Sequence, residues 1–261
     1  MVELDRIGFD VPGRTLLHDI GVSFPAGRFS VVLGPNGAGK STLLRIAAGL
    51  LRPRSGEVSY GGKSIARWPA GDLARVRGVL SQHAEPAFPL SAGEVVAMGR
   101  YPHYDRVPGR RDLAAIERAL VTVGMADRSS QRFTTLSSGE RQRIQMARVI
   151  AQMDVEGDPP RVLFLDEPTA SLDVRHQLAL LDLARSLLAR NVTVVAVLHD
   201  LHLAEVYGDF RVLLDAGRIV WSGTRDSGLP EELIGRVYQV RARRIVDPGD
   251  GGGLWRFTTL A

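Results

Sequence analysis

Runs of apolar residues alternate along most of the chain with segments whose apolar residues recur at helical spacing. Residues 29–33, 161–166 and 192–198 are almost continuously apolar, which is typical of strands in a sheet covered on both faces. This alternation favours an α/β fold with a largely parallel sheet. Three further elements are predicted from residue spacing and turn residues. They are a helix at residues 41–49 that ends at a glycine, a hairpin at residues 58–63 with a Gly-Gly turn, and a helix at residues 174–190 with leucines on one face.

The middle of the chain has a mostly helical pattern, with helices predicted at residues 92–99, 112–123 and 139–153. We interpret residues 85–153 as a helical subdomain inserted into an α/β core. That core comprises residues 1–84 and 154–240 and includes an antiparallel β portion at its N-terminal end. Residues 241–261 are predicted to form a C-terminal tail, with a glycine-rich loop before a short final strand.

Composition narrows the class of protein. The chain has 261 residues, of which 44% are hydrophobic, so one or two domains with a sizeable core are expected. It has no cysteine, which excludes disulfides and thiolate metal sites. The N-terminus lacks the features of a signal peptide, and no apolar run approaches the roughly 20 residues that span a bilayer. We therefore expect a soluble or peripheral protein.

The charge distribution points to one particular lysine. The net charge is +4, but the basic residues are interleaved with acids, which indicates an ordinary solvated surface. Only two of the 33 basic residues are lysines, Lys40 and Lys63. Because arginine serves almost everywhere else, Lys40 indicates a position that needs a compact ammonium group.

Lys40 belongs to a glycine-rich segment, residues 34–41, that we call the phosphate loop. The segment matches the pattern G-x-x-x-x-G-K-[ST], follows a predicted strand and opens a predicted helix, which predicts a P-loop NTPase core. Glycines allow backbone N–H groups to surround phosphates, Lys40 is expected to reach the β- and γ-phosphates, and Ser41 to bind Mg²⁺. The residues expected to contact the nucleotide here are Gly34, Pro35, Asn36, Gly37, Ala38, Gly39, Lys40, Ser41 and Thr42.

Two acids, Asp166 and Glu167, end the strand predicted at residues 161–166, at the edge where α/β sheets bind ligands. Asp166 suits the coordination shell of Mg²⁺, and Glu167 is placed to polarise an attacking water. GTPases read guanine with an Asn-Lys-x-Asp element, which this chain lacks, because Lys63 follows a glycine. The predicted nucleotide is therefore ATP.

Five elements now stand in order: the phosphate loop, Gln82, the segment Leu-Ser-Ser-Gly-Glu at residues 136–140, the strand with Asp166 and Glu167, and His199. We call residues 136–140 the signature loop. Together these elements closely resemble the ATP-binding subunits of ABC transporters, from Glu3 to about Val240. The resemblance implies a single ABC ATPase domain over residues 1–261, with a RecA-like core.

The resemblance also implies how the site works. Two copies of the chain pack head to tail, and each ATP lies between the phosphate loop of one copy and the signature loop of the other. Hydrolysis removes the shared anion and loosens the dimer. Ser137, Ser138 and Gly139 are implied to contact the phosphates, and Asp173 to order the dimer interface. Glu167 is implied to be the general base, while His199 positions the γ-phosphate and the water. Ser41, Gln82 and Asp166 are implied to bind Mg²⁺, and Gln82 also to sense Mg²⁺ and the water.

Three positions depart from the family pattern. Ser138 stands where the family usually has glycine, which adds a hydroxyl and restricts the backbone, and Glu140 replaces a common glutamine. The aromatic residue that usually stacks on adenine falls at Val11, with Phe9 nearby. Which of the two approaches the adenine is left open by the sequence.

The resemblance can be refined to a type of importer. A chain without membrane helices implies two separate integral-membrane permease subunits, which dock on the region of residues 85–103. Its Gly-Arg-Tyr-Pro-His stretch resembles importers of iron-siderophores, haem and vitamin B12. Within that group, the insertion at residues 153–160 and the run at residues 173–178 resemble the haem import ATPases most.

That likeness implies a peripheral protein on the cytoplasmic face of the bacterial inner membrane, serving indirectly a periplasmic haem-binding protein. Iron-siderophore or vitamin B12 import is the alternative. ABC-type ATPases that act on nucleic acid need a long coiled coil or a second ATPase domain. The sequence has neither sustained heptads nor a second phosphate loop, so no direct nucleic-acid partner is expected.

Overall fold

The computed structural model describes residues 1–81, 89–156, 159–170, 172–246 and 253–259. The chain forms two compact units, which we call the first unit (residues 1–66 and 193–261) and the second unit (residues 67–192). The boundaries predicted from the sequence, after residues 84, 153 and 240, divide the chain differently and stay a prediction.

The regular elements are numbered in chain order. The described strands are β1 (Val2–Val11), β2 (Arg14–Phe24), β3 (Phe29–Leu33), β4 (Ser55–Tyr60), β5 (Lys63–Ser64), β6 (Arg77–Leu80), β7 (Arg161–Asp166), β8 (Val192–Val197), β9 (Phe210–Asp215), β10 (Arg218–Thr224), β11 (Val240–Val246) and β12 (Gly253–Thr259). The described α-helices are α1 (Lys40–Ala47), α2 (Ala70–Val76), α3 (Ala92–Ala97), α4 (Arg110–Thr122), α5 (Ser138–Gln152), α6 (Val174–Ser186), α7 (Leu201–Tyr207) and α8 (Glu231–Tyr238).

The first unit contains both antiparallel and parallel pairing. Strands β2, β1, β4 and β5 form an antiparallel sheet in that order, and the predicted Gly-Gly hairpin is the β4–β5 connection. Strand β3 pairs in parallel with β8 on one side and β9 on the other, and β10 adds an antiparallel edge. Strands β11 and β12 pair antiparallel along their full length. The final strand predicted for the C-terminal tail is therefore present as one half of a hairpin.

The second unit combines a parallel strand pair, β6 with β7, with the helical portion of the chain. Helices α3, α4 and α5 lie where the sequence predicts them, within two residues at either end. Every residue of β3, β7 and β8 is buried, as continuous apolar runs predict. The predicted α/β fold with mostly parallel strands, an antiparallel N-terminal portion and a helical portion is confirmed.

The Gly-Arg-Tyr-Pro-His stretch has a structural role within the second unit. A Cβ added at Gly99 would lie 2.1 Å from the carbonyl oxygen of Arg148 in α5, so only glycine fits there. The guanidinium of Arg100 is buried, forms an ion pair with Asp112 at 2.9 Å and donates to the carbonyl oxygens of Ala151 and Asp154 at 2.7 Å each. Elsewhere in the region expected to dock the permease, Tyr101 is exposed, Met98 is half-buried and residues 85–88 lie outside the described residues.

The carboxylate of Asp112 is held by two donors. Its Oδ1 accepts from Arg100 Nε at 2.9 Å, and its Oδ2 accepts from the N–H of Gly109 at 2.8 Å at the start of α4. Burial alone would raise the pKa of Asp112, but these hydrogen bonds and the charge of Arg100 outweigh it and lower the pKa below its ordinary value. The ion pair thus ties the start of α4 to the end of α5.

Asp112→Asn is expected to lower the free energy of unfolding at pH 7 by about 3 kcal/mol, because it leaves the guanidinium of Arg100 buried without its counter-charge. Since the pKa of Asp112 is lowered in the folded state, this stabilisation is present above the unfolded value near 3.8 and is lost as the pH falls through the folded value. Urea unfolding across this pH range measures the difference from the wild type, which should shrink in acid.

Asp105→Asn is the matched control, because Asp105 is exposed and its replacement should change the free energy of unfolding by less than about 0.5 kcal/mol. An Asp112→Asn protein that is as stable at pH 7 as this control would show that the ion pair does not hold α4 to α5.

Candidate nucleotide site

The phosphate loop connects β3 to α1 in the first unit, and its shape depends on glycine. Gly34 and Gly39 have φ angles of 147° and 100°. A Cβ at Gly34 would lie 2.1 Å from the carbonyl oxygen of Leu214 in β9, and one at Gly39 would lie 2.7 Å from the Leu17 side chain in β2. At Gly34 the backbone carbonyl of Leu214 excludes any side chain, and at Gly39 the left-handed backbone would strain any other residue.

Lys40 is the first residue of α1, and its ammonium group lies within the loop. Lys40 Nζ donates to the carbonyl oxygens of Gly34 at 2.8 Å and Pro35 at 2.9 Å, and the residue is only 5% exposed. Within the described residues no side chain caps α1 at Gly39, and the first turn of α1 carries no acid. The positive end of the helix and the ammonium thus coincide, which is the electrostatic arrangement that a phosphate requires.

His199 belongs to the same edge of the first unit. It lies two residues beyond the end of β8, and β8 pairs in parallel with β3, the strand that leads into the phosphate loop. The N–H of Leu198 donates to the carbonyl oxygen of Val32 at 3.3 Å, which extends the pairing up to the histidine. Asp200 then caps α7 by accepting from the N–H groups of His202 and Leu203. The fold therefore leaves His199 exposed between a strand end and a helix start.

In the second unit, Asp166 is the last residue of β7 and is buried, and Glu167 follows it directly. Glu167 has a φ angle of 49°, in the left-handed region that residues other than glycine seldom adopt. Its carbonyl oxygen accepts from the N–H of Ala170 at 3.2 Å in the turn that follows. Such strain costs about 1–3 kcal/mol, and Glu167 is one of six described residues other than glycine with a positive φ angle, so the strain accompanies the predicted base without identifying it.

The signature loop forms the N-terminus of α5. Ser137 Oγ accepts from the N–H of Glu140 at 3.3 Å, and Glu140 Oε2 accepts from the N–H of Ser137 at 2.9 Å, which is a complete capping box. The hydrogen bond from the Ser137 N–H is the main cause that lowers the pKa of Glu140. Glutamate and glutamine both complete such a box, so Glu140 caps α5 as the glutamine common in the family would.

Ser138 raises no backbone difficulty. It is the first residue of α5 and has an ordinary negative φ angle, so replacing the glycine usual in the family costs the backbone no strain. Its side chain is exposed. The expectation that serine restricts the loop therefore finds no support in the geometry.

Gly139, Asp173 and His176 form one cluster in the second unit. A Cβ added at Gly139 would lie 2.7 Å from Cδ2 of the His176 ring. Asp173 caps α6 by accepting from the N–H of His176 at 2.9 Å, and its Oδ1 also contacts His176 Nδ1 at 2.8 Å. The first of these contacts is the main cause that lowers the pKa of Asp173. Asp173 is thus linked to the signature loop through His176, which belongs to none of the sequence motifs.

The predicted site residues therefore fall into two groups. The first unit holds the phosphate loop with Thr42 and His199, and the second unit holds Asp166, Glu167, the signature loop and Asp173. Gln82 lies outside the described residues. Phe9 and Val11 are both half-buried on β1, whose pairing with β2 shifts register between Phe9 and Asp10, and the choice between them for adenine stacking stays a prediction.

A comparison with known protein families identifies a family whose members bind nucleotides, as the geometry of the phosphate loop predicts. The sequence profile of the ABC transporter family matches residues 17–170, more than half of the chain. The chain belongs to the ABC transporter family. Its place in that family is that of the ATP-binding subunit, as the sequence resemblance implies.

Several relatives that match most of this chain share one name. The hemin import ATP-binding protein HmuV of Gloeobacter violaceus is 45% identical over 235 residues, which cover 90% of this chain and 86% of that protein. The protein of the same name from Methylobacillus flagellatus is 43% identical over 253 residues, covering 97% of this chain and 94% of the relative. The similarity therefore includes nearly the whole of both chains.

Solved structures agree on the ABC fold. A structure described as an inward-facing metal-chelate type ABC transporter superposes with a TM-score of 0.83 at 25% identity, covering 100% of this chain and 97% of the other. Across the described part of this ABC subunit, no helix is both long enough and apolar enough to cross a membrane.

The contact between the signature loop and His176 predicts that the effect of Gly139→Ala on the free energy of unfolding depends on whether His176 is present. Gly139→Ala in the wild type should destabilise the subunit by about 1–3 kcal/mol, because the new methyl group meets the imidazole ring. In a His176→Ala background the ring is gone, and Gly139→Ala should be neutral or slightly stabilising, because alanine favours a helix over glycine. Denaturant unfolding of the four proteins measures both effects, and additive effects would contradict the contact.

Proposed function

We propose that this chain is the ATP-hydrolysing subunit of an ABC importer that moves haem across the bacterial inner membrane. One observation carries the proposal: relatives named hemin import ATP-binding protein share 39–45% identity with the chain over 90–97% of its length. The structural likeness to a metal-chelate type transporter supports the same class of cargo, because haem is itself a metal chelate.

The residues of the first unit fit the triphosphate of ATP. The phosphate loop supplies an ammonium, a glycine-rich backbone and a helix N-terminus without an acid, which together suit three linked anions. On binding, Lys40 exchanges its carbonyl partners for β- and γ-phosphate oxygens. Asn36 and Gly37 are exposed at the tip of the loop and lie where the nucleotide arrives.

Mg²⁺ is proposed to accompany ATP, with a hydroxyl, a carboxylate and an amide oxygen as its protein ligands. Among the described residues no group of three or more histidines, cysteines or acids could hold a metal ion by itself. A cation bound by few protein groups and completed by water and substrate phosphates is the usual form of a magnesium–nucleotide site. Ser41 and Asp166 would hold the ion together with Gln82, and the bound ion would neutralise phosphate charge.

Glu167 is proposed as the general base. Its strained backbone fixes the start of its side chain at the end of β7, next to Asp166. From there its carboxylate takes a proton from the water that attacks the γ-phosphorus, and His199 holds the γ-phosphate and orients that water. These assignments follow the order of the motifs.

A second copy of the chain is proposed to complete each site. The capping box engages the N–H groups of Ser137 and Glu140, which leaves those of Ser138 and Gly139 to receive an anion at the start of α5. The hydroxyl of Ser137 accepts from the N–H of Glu140 and is also bonded to the Glu140 carboxylate, so it would exchange that second partner for a phosphate oxygen when ATP arrives. ATP bound to the phosphate loop of one copy would meet this second set of donors on the other, with Asp173 ordering the interface. The closed dimer would then drive two permease subunits, which receive haem from a periplasmic binding protein.

Glu167→Gln should retain ATP binding but lose hydrolysis by about 100- to 10,000-fold, because the amide cannot accept the proton from water. The variant should accumulate as an ATP-bound dimer. Phosphate release and size-exclusion chromatography with ATP measure the two effects. Asp226→Asn, at an exposed acid outside the proposed site, is the control and should hydrolyse ATP normally; near-normal hydrolysis by Glu167→Gln would remove Glu167 from the role of base.

Mixing two inactive variants tests the shared site. Lys40→Ala destroys the phosphate loop of its copy and Ser137→Arg the signature loop of its copy, so a mixed dimer has one site with both loops intact and one with neither. In an equal mixture half of the dimers are mixed, and activity should return to at most about a quarter of the wild type. A site complete within one chain would give no recovery on mixing.

The cargo is tested with the chain reconstituted in liposomes with the permease and binding protein of its own operon. ATP-dependent accumulation of haem is expected, and it should disappear with Glu167→Gln. Accumulation of a ferric siderophore or vitamin B12 without haem uptake would assign the chain to the alternative importers.

A further inference from the structure

The phosphate loop has a partner from the far end of the chain. The N–H of Gly34, the first residue of the loop, donates to Tyr238 Oη at 3.1 Å. Tyr238 is the last residue of α8, and both residues belong to the first unit. Tyr238 lies 204 positions from Gly34 in the sequence. It belongs to none of the nucleotide-binding motifs.

Tyr238 is held in place by the elements on either side of it. Ile234 and Val237 are the buried residues of α8, and Gln239 ends the helix with a φ angle of 55° before β11 begins at Val240. The side chain of Tyr238 therefore leaves a helix end whose direction is fixed by packing behind it and by a left-handed residue after it.

The phenol acts as a neutral hydrogen-bonding group. Burial raises the pKa of Tyr238 to about 12, and the hydrogen bond from Gly34 only partly offsets this effect. The hydroxyl is thus protonated at any pH at which the protein would work, and it meets the backbone of the loop without a charge.

Gly34 is consequently fixed on three sides. Its N–H donates to Tyr238 Oη, its carbonyl oxygen accepts from Lys40 Nζ at 2.8 Å, and the space where a Cβ would stand is filled by the carbonyl oxygen of Leu214. Because the ammonium of Lys40 donates to this carbonyl oxygen, the orientation of Gly34 determines the position of the ammonium before a phosphate binds.

We propose that Tyr238 is a positioning residue for the nucleotide, which preorganises the phosphate loop by holding Gly34 through its phenol oxygen. Preorganised donors bind an anion more tightly, because less ordering is left to be done on binding. The inference rests on the proposed ATPase function but concerns only the binding step, which one chain performs with ADP as well as ATP. The C-terminal helix is thereby part of the nucleotide site.

Tyr238→Phe removes the acceptor and keeps the ring. The isolated chain should bind ADP and ATP about fivefold more weakly, which is the effect of losing one neutral hydrogen bond. In the assembled transporter the same change should raise the KM for ATP by a similar factor and leave kcat nearly unchanged, since the loop holds substrate and transition state alike. Calorimetric titration of the purified chain with ADP measures the first effect, and steady-state ATP hydrolysis the second.

Tyr60→Phe is the matched control in the same unit. Tyr60 Oη donates to the carbonyl oxygen of Ala47 at 2.7 Å, at the opposite end of α1 from the phosphate loop. This variant loses a phenol–backbone hydrogen bond and some stability, but it should bind ADP as the wild type does. A weaker ADP affinity in both variants would show that Tyr238 acts through general stability, which overturns the inference.

Two further outcomes separate the inference from the proposed function. Normal ADP affinity in Tyr238→Phe, together with lost affinity in Lys40→Ala, would overturn the role of Tyr238 and leave the nucleotide site standing. Normal ADP affinity in both variants would overturn the phosphate loop assignment itself. Only a loss in Tyr238→Phe and Lys40→Ala, with Tyr60→Phe unaffected, supports the inference.

Discussion

The binding of Lys40 Nζ to the carbonyl oxygens of Gly34 and Pro35 is the contact on which the first unit is organised. A buried ammonium needs hydrogen-bond acceptors, and the loop supplies two from its own backbone. That arrangement is possible only because Gly34 adopts a left-handed φ angle and lets the carbonyl of Leu214 approach. The strand before the loop, the helix after it and the neighbouring strand β9 are therefore constrained together by one positive charge.

The second unit holds acidic side chains and hydrogen-bond donors in fixed positions. Glu167 is held in a strained backbone at the end of β7, and the signature loop is closed by the reciprocal bonds of Ser137 and Glu140. His176 fills the space over Gly139 and binds Asp173. Each of these groups is fixed by contacts within the unit.

Much of this was predictable from the sequence, because the signals are local. The continuous apolar runs of β3, β7 and β8 and the glycine spacing of the phosphate loop each specify a short segment. Two features were not predicted: the hydrogen bond between Tyr238 and Gly34, which joins distant residues, and the left-handed backbone conformation of Glu167. No spacing rule encodes either. The Gly-Arg-Tyr-Pro-His stretch shows the converse. Its likeness to importers suggested permease docking, while its glycine and arginine are used to pack the helical portion.

The central claim is that ATP joins the phosphate loop of one copy to the signature loop of another, and engineered cysteines test it directly. The chain has no cysteine of its own, and Asn36 and Ser138 are exposed on the two loops. Chains with Glu167→Gln and Asn36→Cys would be mixed with differently tagged chains carrying Glu167→Gln and Ser138→Cys, then oxidised with and without ATP. The account predicts a disulfide between the two differently tagged chains that forms only with ATP. Cross-linking that ignores ATP, or that fails between chains while both bind ATP, would contradict it.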